Sequence, residues 1–340
     1  MVSLLVAVSG GTDDVRMRGF RNRSSVEEAL TAALDGAERL SSETVEIGDC
    51  FGRVLAEDVV STVDVPGFRR ATMDGYALHA ADSYGATAYN PLPLKLVQPS
   101  MPGTDSGEPI FPASAARIMT GAPVPDGADA VLRAEDAREI DGVVEALAPV
   151  AEGKNIGRVG EDIRAGSTVL RVGRRLLPAD VGLLSSIGHT PAVLRRPTVR
   201  VIVSGDELLA PGEIPSGNRI VDSNSPMLSA LVRRDGGLPE VERLPDDETA
   251  MRAALAASEA DVIITAGAAS VGSEDRVPLL VAELGELVVH GVTMRPSSPT
   301  GVGRIGSTPV LILPGNPVSC LVAYDFFAGP VIRRLGGLPE

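Results

Sequence analysis

The chain has no tryptophan and only four tyrosines and six phenylalanines in 340 residues, which removes the aromatic platforms on which single-stranded nucleic acids stack. Lysine is scarcer still: Lys95 and Lys154 are the whole complement, and every other cation is arginine. A formal net charge of -14 argues against nucleic acid or an anionic membrane surface as partner. Three scattered histidines, His79, His189 and His290, argue against a histidine-built metal site or a histidine-based triad. The two cysteines, Cys50 and Cys320, stand in apolar surroundings without metal-ligand spacing and read as small buried hydrophobes in a reducing, cytoplasmic setting. No apolar run reaches the roughly 20 residues that a membrane span needs. Residues 2–8 are apolar but short and lack a basic leader, which argues against a signal peptide. Met17 is an alternative start, and residues 1–22 are expected to be an N-terminal extension.

What is present is a compact globular composition. Hydrophobic residues make up 44% of the chain and mean hydropathy is +0.15, with length enough for two or three domains. Ser25 and Glu28 fit a capping box, and an apolar stripe follows through Val26, Ala29, Leu30, Ala33, Leu34 and Ala37. A second short helix is expected over residues 47–57. From Pro66 to about Pro149 the texture changes to short strands broken by Gly and Pro, with 92–97, 116–119 and 130–132 as candidates. Residues 176–188, opening at Pro178-Ala-Asp180, suit a helix. From Pro197 onward strands (199–203, 239–244, 262–265, 287–292, 310–313) alternate with helices (226–234, 248–258, 274–284). Such alternation implies a mostly parallel sheet with crossover helices and a ligand at the carboxyl ends of the strands.

Four of those ends carry polar residues: Ser204-Gly-Asp-Glu-Leu208, Pro245-Asp246-Asp247, Gly267 through Ser270-Val-Gly272 to Asp275, and Pro314-Gly-Asn-Pro-Val-Ser319. The last is a strand, a tight Gly turn and a helix opening at Pro317, an arrangement that gathers backbone N–H groups for an anion. Ser270 and Ser319 add hydroxyl donors. Glu207, Asp247 and Asp275 add carboxylates for a divalent cation or for orienting hydroxyls. Taken singly each acid has an ordinary explanation, Asp247 as a helix N-cap and Asp275 as a first-turn acid. The β-rich stretch contributes Thr72-Met-Asp74-Gly-Tyr76, Arg117-Ile-Met-Thr120 and Arg158-Val-Gly-Glu-Asp162-Ile163, where Asp74-Gly75 is also a hairpin-turn signal.

In order along the chain, Arg53-Val-Leu-Ala-Glu-Asp58, Asp64-Val-Pro-Gly-Phe68, Met73-Asp-Gly-Tyr76, Arg117–Pro125, Gly160-Glu-Asp-Ile163, Ser204–Leu208, Asp222-Ser-Asn224, Asp246-Asp247, Ser270-Val-Gly272 and Pro314–Ser319 resemble the molybdopterin molybdenumtransferase family, which includes the E domain of gephyrin. The resemblance implies an α/β, multidomain, elongated homodimer. Its parts would be a helical stalk (residues 23–62 and 161–196), a β-rich inserted domain (63–160) and a three-layer α/β/α molybdopterin-binding sandwich (197–340). It further implies insertion of molybdenum from molybdate into adenylylated molybdopterin with release of AMP, Mg²⁺ as cofactor, and a molybdopterin adenylyltransferase as a partner.

By the same resemblance Glu207, Asp247 and Asp275 are the catalytic acids, with Asp206 and Glu207 toward the metal. Gly205, Asp222, Asn224, Ser270, Gly272, Arg295, Gly315, Asn316 and Ser319 bind substrate, and Asp74, Thr120 and Asp162 reach in from the other subunit. Some positions depart from the family. Gly267-Ala268 stands for Gly-Gly, Gly157 and Arg276 for an Arg and a Tyr, and Arg295-Pro-Ser-Ser-Pro299 for a loop with two lysines. A small C-terminal β domain has no counterpart within the 340 residues. Arg276, Arg295 and Arg304 are then the candidates to replace the lysines. The alternative is an impaired paralogue that binds molybdopterin, or acts as a scaffold, without inserting metal.

Overall fold

The computed structural model describes residues 23–257, 259–267 and 276–340. They form two compact units, one of Asp58–Arg171 with Gly182–His189 and one of the remaining described residues.

The first of these is built on a six-stranded sheet of β1 (Gly75–Leu78), β2 (Leu92–Ser100), β3 (Ser114–Ile118), β4 (Ala130–Arg133), β5 (Ala137–Ile140) and β6 (Val143–Ala146), in the order β4-β1-β3-β2-β6-β5. Every pairing is antiparallel except β2 with β3. Alternation sends Tyr76 and Leu78 into one core with Leu94, Leu132 and Val144, and Ala77 into another with Ile110, Ile118 and Val131. Gly75 is required where β1 begins: a Cβ there would stand 1.9 Å from the Leu132 carbonyl oxygen.

The other unit opens with α1 (Val26–Leu34), whose capping box is formed as expected: Ser25 Oγ accepts from the Glu28 N–H at 3.1 Å, and Glu28 accepts from the Ser25 N–H at 2.8 Å. The helix expected over 47–57 is only a 3-10 turn, Ile47–Asp49. Gly52 takes φ +76°, and the backbone of residues 52–55 bonds instead to Leu176 and Arg174, so long-range pairing overrides local propensity. α2 (Pro178–Ser186) starts at the predicted proline.

A second six-stranded sheet holds β7 (Thr198–Ser204), β8 (Leu238–Leu244), β9 (Val262–Ala266), β10 (Glu286–His290), β11 (Gly301–Ile305) and β12 (Thr308–Leu313), in the order β8-β7-β9-β12-β11-β10. The first four are mutually parallel and the last two antiparallel. α3 (Asn224–Arg234), α4 (Glu248–Ala256), α5 (Val277–Leu284), α6 (Pro317–Ala323) and α7 (Gly329–Leu335) complete it. On one face Val199, Val201 and Val203 of β7 pack with Ala29 and Ala33 of α1, Leu228 of α3, Cys320 of α6 and Ile332 of α7. On the other, Ile202 and Ile263 meet Met251 and Leu255 of α4 and Leu280 of α5. Each fully buried Val, Leu or Ile contributes about 1.5–3 kcal/mol. β11 was not anticipated because its Gly-Val-Gly start has little strand propensity. Gly303 is there for space: a Cβ would come within 2.5 Å of Val281 Cγ1.

The entry to β7 is pinned by Asp261, which accepts from Arg195 Nη1 and Nη2 at 2.8 and 2.7 Å and from the Thr198 N–H and Oγ1 at 2.7 and 2.8 Å. Burial pushes this carboxyl up, but the Arg195 and Thr198 bonds outweigh it and leave it below the ordinary aspartate value. A depressed folded-state value gives stability that is full above the unfolded value of about 3.9 and is lost as pH falls through the folded one. Urea midpoints are therefore expected to be flat from pH 7 to 5 and to fall below pH 4, and Asp261→Asn should flatten that fall. An equally steep acid limb in the variant would refute the assignment.

Candidate active site

The carboxyl ends of β7, β8, β9 and β12 share one edge because the four strands are parallel. The chain leaves β7 through α3 to β8, then returns through α4 across β7 to β9, so the strand order reverses at β7. Open α/β sheets bind ligands in the crevice at such a switch point. A cavity of about 390 Å³ lies there, lined by Ser204 at the end of β7 and Asp206 beyond it, Pro245, Asp246 and Asp247 after β8, Gly267 after β9, Glu248 and Met251 of α4, and Arg276, Val277 and Leu280 at α5.

Local geometry fixes the acids. Asp206 and Asp246 are cross-linked: each backbone N–H donates to the other's carboxylate, at 3.3 and 3.2 Å. Asp247 N-caps α4 by accepting from the Ala250 N–H at 2.7 Å, so the ordinary reading of this residue is realised while it also lines the cavity. Glu207 is outside the lining; its carboxylate lies over Gly205, 2.8 Å from where a Cβ would sit.

The β12 turn approaches the same edge. Gly315 packs on Gly267, with its Cβ position 3.1 Å from the Gly267 Cα. Asn316 caps α6, accepting from the Val318 and Ser319 N–H groups at 3.2 and 3.4 Å. Asn224 Nδ2 donates to the Gly315 carbonyl at 2.8 Å, tying the start of α3 to this turn. Buried Asp222 accepts from the Ser225 N–H at 2.9 Å. Ser297, in the loop that carries Arg295, donates to the Ser319 carbonyl at 2.6 Å. Gly205, Asp206, Asp222, Gly315 and Asn316 thus occupy the loops beyond the strand ends of one sheet, Asn224 and Ser319 the first turns of α3 and α6, and Arg295 is exposed near Ser297. Ser270, Gly272 and Asp275 lie outside the described residues.

Asp74 and Thr120 meet in the other unit, where Asp74 Oδ1 accepts from the Thr120 N–H and Oγ1 at 2.7 and 2.8 Å. The N–H bond, with the hydroxyl, holds Asp74 below the usual carboxylate range. Asp162 and Glu161 both accept from Arg70, at 3.3 and 3.0 Å.

Sequence reasoning passed over Asp246, Glu248 and Met251 as site residues. Asp246 carried a signal, its place beside Asp247. Glu248 and Met251 read as ordinary positions of an amphipathic helix. One expected substitute for lysine is corrected: Arg304 donates to the Asp35 carboxylate at 2.9 Å and to the Asp35 carbonyl, so its charge is already neutralised at the end of α1. Among the described residues no group of three or more His, Cys, Asp or Glu side chains is placed to hold a metal alone, and no helix is long and apolar enough to cross a membrane.

A strand-end crevice at the switch point of a mixed α/β sheet, joined in one chain to a β-rich unit, is the arrangement of a multidomain α/β protein with its ligand site at the sheet edge. Residues 24–188 match the MoeA N-terminal region (domain I and II), and residues 200–334 match a probable molybdopterin binding domain. Molybdopterin molybdenumtransferase 2 of Mycobacterium tuberculosis is 39% identical over 332 residues, 93% of this chain and 80% of that protein. The molybdopterin molybdenumtransferase of Staphylococcus aureus is 31% identical over 325 residues, 94% of this chain and 78% of that one. The crystal structure of the molybdopterin biosynthesis MoeA protein from Pyrococcus horikoshii superposes with a TM-score of 0.79 at 33% identity, covering 93% of this chain and 81% of that one. The chain belongs to the molybdopterin molybdenumtransferase family, a family of transferases of molybdenum cofactor biosynthesis.

Proposed function

We propose that this chain inserts molybdenum from molybdate into adenylylated molybdopterin, with release of AMP. The observation that carries this is the strand-end cavity, lined by Asp206, Asp246 and Asp247 together with Gly267 after β9. Its size suits one end of a nucleotide-linked ligand. An acidic lining is a poor host for a pyrophosphate on its own, and two cross-linked aspartates suit Mg²⁺, which is usually held by one or two carboxylates together with substrate phosphates. Asp206 and Asp246 would hold it, Asp246 standing in the cavity where Glu207 was expected, and the bound ion would neutralise charge on the phosphoryl oxygens. The Ser319 hydroxyl and the backbone N–H groups of the Gly315–Asn316 turn would cradle molybdate, the Val318 and Ser319 N–H groups being taken by the Asn316 cap, and Asp222 and Asn224 would hold the turn in place.

In this reading residues 23–62 and 161–196 form the stalk, except that α1 packs on the sheet of the catalytic sandwich, with 63–160 the inserted domain and 197–340 that sandwich. The working form is a cytoplasmic homodimer in which Asp74, Thr120 and Asp162 are contributed by the other protomer. An adenylyltransferase acting on molybdopterin must supply the substrate. Glu207, Asp247 and Asp275 orient it.

The test is AMP release from adenylylated molybdopterin and Mg²⁺, with and without molybdate. Release is expected only with molybdate. Asp247→Ser keeps a cap on α4 but removes the carboxylate, and should lower the rate about 10²-fold by loss of positioning. Its unfolding midpoint should stay put, whereas Asp247→Ala should also cost about 1 kcal/mol of stability. Molybdate-independent release, or an unaffected Asp247→Ser rate, would sink the assignment. Tight molybdopterin binding without AMP release would favour the impaired paralogue, a reading supported by Arg295-Pro-Ser-Ser-Pro299, where Arg295 is the single cation and Ser297 is already bonded to Ser319.

A further inference from the structure

Three arginines are candidates for the missing lysines, and only Arg276 is among the residues lining the strand-end cavity. Arg304 is held by Asp35, and Arg295 is exposed in the loop between β10 and β11. The other charged groups of the described lining, Asp206, Asp246, Asp247 and Glu248, are all acids, so an incoming phosphate finds one guanidinium in a field that otherwise repels it.

Arg276 is held loosely. Its Nη1 lies 3.4 Å from Glu248 Oε2, longer than the 2.7–2.9 Å typical of a charge-assisted bond. About half of each side chain is exposed, 55% and 47%, so water weakens the pair. Glu248 also has a second partner: Arg252 Nη2 is 3.6 Å from its other oxygen, and Arg252 in turn pairs with Glu283. Arg276 can therefore leave Glu248 without stranding a carboxylate, and its planar fork can take a phosphate in a bidentate grip.

We infer that Arg276 grips the phosphate of the nucleotide half of the substrate, and that Glu248 holds it in place until that anion arrives. This rests on the proposed function, whose substrate carries the phosphate.

Calorimetric titration of the full chain with AMP and Mg²⁺ tests it. Arg276→Gln is expected to weaken AMP binding about 10- to 100-fold, the range for a lost charged hydrogen bond. Arg276→Lys should fall between, and Glu248→Gln should tighten binding about two- to fivefold by releasing the arginine. In turnover, Arg276→Gln should raise KM with kcat within about twofold, the pattern of lost ground-state binding. AMP affinity within twofold of wild type in Arg276→Gln, or weaker binding in Glu248→Gln, would overturn the inference. If the wild type releases AMP with molybdate while Arg276→Gln is unchanged, only the inference fails. If the wild type neither binds nor releases AMP, the functional reading fails with it.

Discussion

Asp235→Ala is expected to lower stability by about 3–5 kcal/mol, the cost of removing one member of a buried ion pair. Asp235 follows α3, is only 4% exposed, and accepts from Arg333 Nη1 at 3.0 Å and from Arg234 Nη2 at 2.9 Å. Arg234 is half exposed, bonds Asp325 at 2.6 Å and lies over the Tyr324 ring, so it keeps partners when Asp235 is lost. Arg333 is 22% exposed and belongs to α7, so it would be left as the uncompensated charge between two helices that cover the same sheet face. Most of the loss should therefore disappear in a cycle with Arg333→Met: the double variant is expected to be more stable than Asp235→Ala alone. Urea unfolding measures both. A midpoint shift equivalent to less than about 1 kcal/mol for Asp235→Ala would place this cluster among ordinary surface pairs.

The local signals of the α/β half were readable because its central strands, β7, β9 and β12, are largely apolar and buried on both faces. Residues 199–203, 262–265 and 310–313 are short runs dominated by Val, Ile and Leu, interrupted by only Arg200 and Thr265, and each is found as a strand within a residue or two of its expected limits. Pro178 and Pro317 announced helix starts for the same reason that proline is tolerated there. What failed was local propensity where distant pairing decides. Residues 47–57 read as a helix, yet the backbone of Gly52, Arg53 and Leu55 is bonded to residues 174–176, more than a hundred positions away. Gly301–Ile305 did not read as a strand because Gly303 answers to the nearness of Val281 and Glu286, which no local pattern reveals.

For the site, the strand-end loops were legible as positions, but the roles within them were not. Whether Asp246 or Glu207 enters the cavity depends on the cross-bond between Asp206 and Asp246 and on the fold-back of Glu207 over Gly205, both set by side-chain packing. The same holds for the arginines. Arg276, Arg295 and Arg304 are equivalent as charges in a sequence, and become distinct only when Asp35 is seen to hold one and the cavity to receive another.

Gly267→Ala is expected to remove most of the activity while leaving the chain folded. Gly267 directly follows β9 with φ +119°, a conformation disfavoured for residues with a Cβ. A Cβ there would sit 2.3 Å from the carbonyl oxygen of Ser204, and a tolerable contact begins near 3.0 Å, so the ends of β7 and β9 must part by about 0.7 Å. Neither partner can yield by a rotamer change, since both atoms are fixed by the backbone. The strain should cost about 1–3 kcal/mol. Ser204 and Gly267 both line the cavity, and a misplacement approaching 1 Å in a positioned site costs about 10²-fold in rate. Gly315→Ala supplies the contrast. Its Cβ would meet Gly267 at 3.1 Å, close enough to require a shift of only a few tenths of an ångström, and Gly315 is not among the positive-φ glycines. Molybdate-dependent AMP release should therefore rank wild type first, Gly315→Ala close behind, and Gly267→Ala far below, with circular dichroism unchanged across the three. A Gly267→Ala rate within threefold of wild type would mean that the close approach of β7 and β9 is a packing detail and not what shapes the cavity.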